Sequence, residues 1–341
     1  MIDATASNGA TVFLTRMGME DGCRRLARAF YTRVAGSGEL KALFPGKSLR
    51  CATEEFAAFL IQFLDGAPEQ TQYRWWLSLR ESHARFEITE SQRSEWLRLM
   101  TDALVAEIED FETRNALARF FGVTSRYVIG AEEAASVDDG ELAERWDTQR
   151  ALDRFAECVA TGQDREAISL ASRFEPRRSV FLGVLAEMMK AGRDALDEYV
   201  LVQVRANSEL KDGQYNGRSL LHLAAGYGCF PAVQALLEGG ANPNTVDSGG
   251  HAPLYRVGPG HHDSGRQIVE ALVAAGADVN HAGGTARSTA LHQAARFGFV
   301  SVAQALLAPG ADASRRDKKG FTPLDRARNC RRPEVAALLE G

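Results

Sequence analysis

The first 200 residues of this 341-residue chain contain a single histidine, His83. The other six histidines lie in the C-terminal third. A single imidazole excludes a zinc or copper site built from several histidines in the N-terminal half, but it can supply one axial ligand to a haem iron. The alternative, which the residue alone leaves open, is a structural histidine on an apolar helix.

Cysteine is also scarce. The five cysteines are odd in number and scattered, at Cys23, Cys51, Cys158, Cys229 and Cys330. This pattern predicts reduced thiols, as in a cytoplasmic protein, rather than a disulfide framework. A Cys-x-x-Cys-His motif is missing, so any haem is expected to be held without a covalent bond.

The sequence shows no basic tract, no basic-then-apolar pattern of the kind expected for a signal peptide, and no long apolar run. Its net charge of −5, with 25% charged and 45% hydrophobic residues, is that of an ordinary globular protein and predicts no nucleic-acid partner. The N-terminus is polar, and no apolar stretch has the length that spans a bilayer. We therefore expect no membrane partner and a cytoplasmic location.

Helical periodicity dominates what is present. Residues 18 to about 130 contain successive segments with apolar side chains at helical spacing, such as Leu26, Phe30 and Val34. The next segment, 131–149, begins with an acidic run poor in large apolar residues and predicts a solvated linker. Residues 150–216 return to helical periodicity, either as a connector or as degenerate capping repeats.

The C-terminal third repeats itself about every 33 residues. The first copy opens with Gly217-Arg218-Ser219-Leu220-Leu221-His222-Leu223-Ala224-Ala225, and related segments open at Gly250, Ser288 and Gly320. Over residues 217–341 this array resembles ankyrin repeats, with Tyr255 in place of the usual histidine in the second copy. The resemblance implies a helical solenoid and, by analogy with other arrays, a protein partner on its surface.

The histidines of the repeats are predicted to be structural. His222 and His292 belong to the repeat signature and are expected to form hydrogen bonds within the fold. A metal role for His261 and His262 is the less favoured alternative, because adjacent side chains rarely converge on one ion.

Four segments of the N-terminal half occur in the order and spacing of one known family. They are Phe30-Tyr31, Leu43-Phe44-Pro45, Leu79-Arg80-Glu81-Ser82-His83-Ala84-Arg85-Phe86-Glu87-Ile88 and Arg93-Ser94-Glu95-Trp96-Leu97-Arg98-Leu99-Met100. Together they resemble a group II truncated haemoglobin, the short two-over-two helical globin of bacteria and plants. The resemblance implies an all-α chain with a truncated globin domain over residues 10–130, followed by the ankyrin solenoid.

This resemblance implies a pocket for haem b, an iron protoporphyrin IX held non-covalently. His83 would be the proximal iron ligand through its neutral imidazole. Tyr31 and Trp96 would be hydrogen-bond donors on the distal side, facing a bound gas. The apolar walls would come from three phenylalanines, Phe44 on the porphyrin plane together with Phe56 and Phe86.

Other positions of the family pattern are filled differently here. Ala52 falls where many globins have a distal histidine, so stabilisation of the gas would depend on Tyr31 and Trp96. Arg80 either pairs with a haem propionate or is a solvated surface arginine. Met19 stands where the family often has the second glycine of a Gly-Gly pair, and Asp65-Gly66-Ala67-Pro68 replaces the usual Gly-Gly-Pro.

Three functions stay open at this point. The first is reversible binding of O2, NO or CO, for oxygen transport or gas sensing, with the ankyrin module binding a protein partner. The second is an enzyme, an NO dioxygenase or a peroxidase, which would need an external reductase because no flavin or nicotinamide motif is evident. The third is an interaction scaffold with a haem-free vestigial globin domain, against which the joint presence of His83, Tyr31, Phe44 and Trp96 argues.

Overall fold

A computed structural model of the chain describes residues 12–44, 48–64, 79, 83, 86–129, 140–176, 178–260 and 264–341. These residues are mostly helical, and their paired strands form a short antiparallel hairpin, β1 (Gln214–Tyr215) with β2 (Arg218–Ser219). The chain divides into two compact units, Met1–Ala156 and Glu157–Gly341. The predicted all-α class is confirmed.

The helices described in the first unit follow the predicted succession. They are α1 (Val12–Met17), α2 (Met19–Gly36), α3 (Gly38–Lys41), α4 (Arg50–Phe63), α5 (Glu90–Glu107), α6 (Phe111–Val128) and α7 (Gly140–Thr161), the last of which continues beyond the boundary at Ala156. None of the helices described in either unit is both long and apolar enough to cross a bilayer.

Helix α2 lies at the centre of the first unit because one of its faces is apolar. Leu26, Phe30 and Val34 recur every four residues and are each at most 1% exposed. Helix α2 packs against both α4 and α5, and α5 in turn packs against α6. This arrangement surrounds Phe30 with side chains from three helices and makes it part of the core on which the site is built.

The start of helix α2 holds a residue in an unfavourable backbone conformation. Gly18 and Met19 have φ angles of 86° and 60°, in the left-handed region that favours glycine. Met19 occupies the position where the truncated haemoglobin pattern often has its second glycine. The structure therefore gives a physical reason for that glycine, and it shows that Met19 adopts the same conformation at a steric cost.

Helix α7 covers residues 140–149, which the sequence assigned to a linker. Its first turns are acidic, but Leu142 and Trp146 lie four residues apart on one face and are 0% and 3% exposed. The Trp146 ring packs edge-on against Tyr127 of α6, with the ring centroids 5.1 Å apart. The linker expectation therefore differs from the structure over these residues, because composition averaged over the segment hid two well-placed apolar side chains.

The second unit consists of helical pairs. Its helices are α8 (Asp164–Ala171), α9 (Arg178–Ala191), α10 (Asp194–Ala206), α11 (Leu220–Tyr227), α12 (Phe230–Glu238), α13 (Pro253–Arg256), α14 (Gly265–Ala274), α15 (Ala290–Phe297), α16 (Val300–Leu307), α17 (Pro323–Asn329) and α18 (Pro333–Glu340), with 3-10 turns at Ser172–Phe174 and Ser208–Asp212. Helices α11, α13, α15 and α17 stack as an inner layer, and α12, α14, α16 and α18 stack as an outer layer.

The pair α9–α10 extends this stack towards the N-terminus. Helix α9 packs on α11 and helix α10 packs on α12, as one repeat packs on the next. This packing favours the alternative in which part of residues 150–216 is a degenerate repeat rather than a connector.

Candidate functional site

Aromatic side chains from α2, α4 and α5 meet around Phe30. Its ring centroid lies 5.0 Å from that of Tyr31, 5.2 Å from Trp96 and 5.9 Å from Phe56. Tyr31 also contacts Phe44, which follows α3, with 5.9 Å between the ring centroids. Three helices thus bring residues that are far apart in the sequence into one apolar cluster.

Ring contacts connect this cluster to His83. Phe44 lies 5.8 Å from Phe86, and Phe86 lies 6.4 Å from His83, measured between ring centroids. The structure therefore groups the predicted proximal histidine with the predicted phenylalanine walls and with the two predicted distal donors.

The imidazole of His83 has a defined hydrogen-bond partner. His83 Nδ1 lies 2.9 Å from the carbonyl oxygen of Leu79, four residues earlier, and both residues are helical. A carbonyl only accepts, so Nδ1 carries the proton and donates it. In that tautomer Nε2 holds the lone pair, which is the form of imidazole that ligates a metal.

Tyr31 and Trp96 each offer a polar hydrogen. Burial raises the pKa of Tyr31 well above its ordinary value of 10, and the nearby charge of Glu55 adds to the rise. The phenol therefore stays protonated at any physiological pH. Among the residues that the structure describes, no hydrogen bond engages the Tyr31 hydroxyl or the Trp96 indole N–H, so both remain able to donate to a ligand.

The remaining predicted site residues are placed less fully. Ala52 lies in the first turn of α4 and is partly buried, one helical turn before Phe56 and therefore on the same face of that helix. Arg80 lies outside the described residues. Its two alternative roles, propionate partner and surface arginine, both remain predictions.

One group near His83 was not anticipated from the sequence. The backbone N–H of Leu79 donates to Oδ1 of Asp153 on helix α7, at 2.6 Å. Asp153 is 5% exposed, and 74 residues separate it from Leu79. No local pattern could have revealed this contact, because it depends on how α7 packs against the rest of the unit.

The repeat histidines form hydrogen bonds within the fold, as expected from their place in the signature. His222 Nδ1 lies 2.7 Å from Ser219 Oγ, and its Nε2 lies 2.9 Å from the carbonyl oxygen of His251 in the next repeat. His292 repeats this pattern with Thr289 Oγ1 at 2.8 Å and the Phe321 carbonyl at 3.0 Å.

A metal role for His261 and His262 stays a prediction. His261 and His262 lie outside the described residues. Within the described part of both units, no group of three or more His, Cys, Asp or Glu side chains could hold a metal ion.

Comparisons with known proteins match each unit separately. Residues 12–126 match the family described as bacterial-like globin, residues 216–248 match an ankyrin repeat, and residues 261–340 match three ankyrin repeats. The N-terminal unit is 32% identical over 115 residues to the group 2 truncated hemoglobin YjbI of Bacillus subtilis (strain 168), covering 34% of this chain and 86% of that protein. The chain belongs to the truncated haemoglobins. Its ankyrin repeats follow the globin domain in the same polypeptide.

The repeats of this truncated haemoglobin resemble parts of much longer proteins. They are 35% identical over 134 residues to the B-cell lymphoma 3 protein homolog of Mus musculus, covering 39% of this chain and 28% of that protein. The match to the human ankyrin repeat and SOCS box protein 16 is 34% over 146 residues, covering 40% of this chain and 31% of that protein. The chain thus spans about a third or less of these two relatives.

The globin domain's donor set fits a haem. One imidazole donates from Nδ1 to a backbone carbonyl, an orientation that suits an iron ligand. A series of aromatic ring contacts connects that imidazole to the two residues that carry the N–H and O–H donors. Haem binding requires this combination of an iron ligand, apolar walls and distal hydrogen-bond donors.

Proposed function

We propose that this truncated haemoglobin holds a haem in the pocket between His83 and Tyr31 and reversibly binds a diatomic gas there, while its ankyrin repeats bind a protein partner. The observation that carries the proposal is the 2.9 Å contact between His83 Nδ1 and the Leu79 carbonyl, because it leaves Nε2 as the ligating nitrogen. The truncated haemoglobin family of the globin domain supports it.

Each residue of the pocket has a separate task. A haem supplies an iron that coordinates O2, NO or CO reversibly. His83 would hold the group, and Phe44, Phe56 and Phe86 would exclude water from around it. Tyr31 and Trp96 would donate hydrogen bonds to the bound gas, and the low local dielectric would strengthen these bonds.

The cysteines support two finer assignments, the type of haem and the cellular location. We propose haem b, held non-covalently, because the sequence has no Cys-x-x-Cys-His motif for covalent attachment. The five cysteines all lie among the described residues and form no disulfide, and Cys23, Cys158 and Cys229 are buried, which supports a reducing, cytoplasmic location. Oxygen transport and gas sensing both use this pocket, and a sensor additionally requires that the gas changes the affinity for the partner.

The optical spectrum of the full-length protein, purified with haem supplied, tests the haem proposal. We expect a Soret band that shifts between the ferric and ferrous forms and again under CO. The band should be lost or weakened in His83→Ala and retained in His281→Ala, the matched control in the repeats. A wild-type protein without a Soret band, or an equal band in His83→Ala, would overturn the proposal.

A further inference from the structure

Leu79 is held at both polar groups of its backbone. Its N–H donates to Oδ1 of Asp153 at 2.6 Å, and its carbonyl accepts from Nδ1 of His83 at 2.9 Å. Asp153 lies on helix α7, beyond the residues 12–126 that match the globin family. A residue outside the family match thus stands two hydrogen bonds away from the imidazole.

The Asp153 carboxylate is buried beside a second donor. It is 5% exposed, and the side-chain amide of Gln149 lies 3.4 Å from the same oxygen, Oδ1. A buried carboxylate is costly unless donors surround it, and a donor to an ionised acceptor forms one of the stronger hydrogen bonds in proteins. Movement of Asp153 away from the Leu79 N–H would therefore be unfavourable.

Helix α7 is itself fixed to two helices of the globin domain. Nη1 of Arg145 donates to the carbonyl of Phe63, the last residue of α4, at 3.1 Å. Trp146 packs against Tyr127 and Phe120 of α6, with ring centroids 5.1 Å and 6.0 Å apart. These contacts hold the helix that presents Asp153, so the carboxylate has a fixed place relative to the pocket.

We propose that Asp153 is a positioning residue for the proximal ligand. It holds the backbone of Leu79, and the Leu79 carbonyl sets the tautomer and orientation of His83. Helix α7 therefore contributes to the haem site. The proposal rests on the proposed haem function. Groups that orient a metal-binding histidine directly are worth about 10- to 100-fold in metal affinity. Because Asp153 acts through one further hydrogen bond, we expect an effect of about tenfold.

The test compares three full-length variants by haem transfer to excess apomyoglobin and by the iron–histidine stretching band of the ferrous protein in resonance Raman spectra. Asp153→Ala should lose haem about tenfold faster than wild type and shift or broaden the band. Asp153→Asn keeps an oxygen acceptor and should recover much of both properties. Asp147→Ala is the matched control, because Asp147 lies on the same helix, is exposed and pairs with Arg150.

Two results would overturn the positioning role. One is haem loss from Asp153→Ala within twofold of Asp147→Ala with an unmoved band. The other is a lower melting temperature of Asp153→Ala with an unmoved band, which would make the residue structural only. Failure of the haem function itself gives a different result, a wild-type protein with no Soret band.

A separate feature is a row of arginines on the inner helices of the repeats. Burial raises the pKa of Tyr255, and the charges of Arg256, Arg296 and Arg326 oppose this rise. The three arginines lie on α13, α15 and α17, in three successive repeats. Because α13, α15 and α17 stack on one another, these arginines follow one another along one layer of the array, and we call them the inner arginine row.

Carboxylates neutralise only part of this row. Asp247 pairs with Arg256, and Asp317 pairs with Arg326, and both aspartate side chains are 1% exposed. Arg296 is exposed and lies over the Phe297 ring, and among the described residues no carboxylate forms an ion pair with it. Arg296 is thus the member of the row that is open to an external carboxylate.

The part of the chain that contains Arg296 and Arg326 also carries a net positive charge. Residues 286–341 contain ten of the chain's 40 Lys and Arg residues but only five of its 45 Asp and Glu residues. The net positive charge at this end contrasts with the net charge of −5 for the whole chain. Complementarity therefore favours an acidic partner at this end of the array.

We propose that the inner arginine row binds an acidic segment of a partner protein. Guanidinium groups form paired hydrogen bonds with carboxylates, and the exposed Phe297 ring beside Arg296 adds apolar contact. This proposal rests on the proposed partner binding by the repeats and does not depend on haem.

The test measures binding of a fluorescent Asp/Glu-rich peptide of 12 residues to the full-length protein, with a Lys-rich peptide and a single-stranded oligonucleotide as competing probes. We expect salt-sensitive binding of the acidic peptide that Arg296→Glu weakens about tenfold. Arg266→Glu is the control, because Arg266 is an exposed arginine on the outer helix α14 that pairs with Glu270.

Equal weakening by both substitutions, no binding of the acidic peptide, or tighter binding of the oligonucleotide would overturn the proposal. A Soret band in protein that binds no peptide would separate this failure from failure of the haem function.

Discussion

Replacing Tyr31 with phenylalanine isolates one hydroxyl of the proposed pocket. The phenylalanine ring keeps the contacts of the tyrosine ring with Phe30, Phe44 and Phe56, which lie 5.0, 5.9 and 6.2 Å away between centroids. The substitution therefore removes a donor without opening the aromatic cluster. We expect the haem to stay bound and the gas to leave faster.

The size of this effect follows from the environment of the hydroxyl. Burial raises the pKa of Tyr31, so the group is fully protonated and its donor strength does not vary with physiological pH. A hydrogen bond to a group with charge character is worth about 1.5–3 kcal/mol. We therefore expect the gas to dissociate about 10- to 150-fold faster from Tyr31→Phe.

Stopped-flow measurement of O2 dissociation, at pH values from 6 to 9, gives the result directly. Tyr199→Phe is the matched control, because its hydroxyl lies in the second unit and contacts Glu175 at 3.3 Å. Dissociation from Tyr31→Phe within twofold of this control would refute the distal role of Tyr31. A wild-type rate that rises steeply between pH 6 and 9 would refute the inference from the raised pKa.

Two further predictions concern stability. Met19→Gly relieves a left-handed conformation that costs about 1–2 kcal/mol in a residue with a Cβ, while glycine loses about 0.5–1 kcal/mol of chain entropy, so urea unfolding should show a net gain of about 0.5–1 kcal/mol. Met19→Ala keeps the strain and should show no such gain, and equal stability of the two variants would contradict the argument. In the repeats, burial lowers the pKa of His222 and of His292 below the ordinary histidine value of 6.5. Below pH 6.5 the unfolded chain therefore binds protons that the folded repeats do not, and the free energy of unfolding should fall by at most about 1.4 kcal/mol per pH unit for each histidine. Circular dichroism of urea unfolding between pH 7.5 and 4.5 measures this slope, and a flat profile would refute it.

The elements of the fold were predictable where local pattern is strong. Leu26, Phe30 and Val34 recur at the spacing of a helix face, and the structure buries all three. The repeats were equally predictable. Ser219 and Thr289 are each the N-cap of an inner helix and form a capping box with the histidine three residues later. Such signals depend only on neighbours along the chain.

At the start of helix α7 the structure has a helix where the amino-acid composition predicts a linker. Residues 131–149 were expected to be a linker because the segment begins with an acidic run poor in large apolar residues. Leu142 and Trp146 nevertheless form a short apolar face, and burial against Tyr127 and Phe120 stabilises the helix that contains them. Tertiary packing of this kind has no sequence signature of its own.

By itself the sequence determined the all-α class and the repeat array and indicated candidate residues for a haem pocket, because helix periodicity, turn signals and family segments are local features of the chain. Only the tertiary structure decided that Leu79 is held between Asp153 and His83, and that the helices carrying Arg256, Arg296 and Arg326 stack on one another. Hydrogen bonds and charges act over a few ångströms in space. Residues 74 positions apart come within that reach only after the helices have packed.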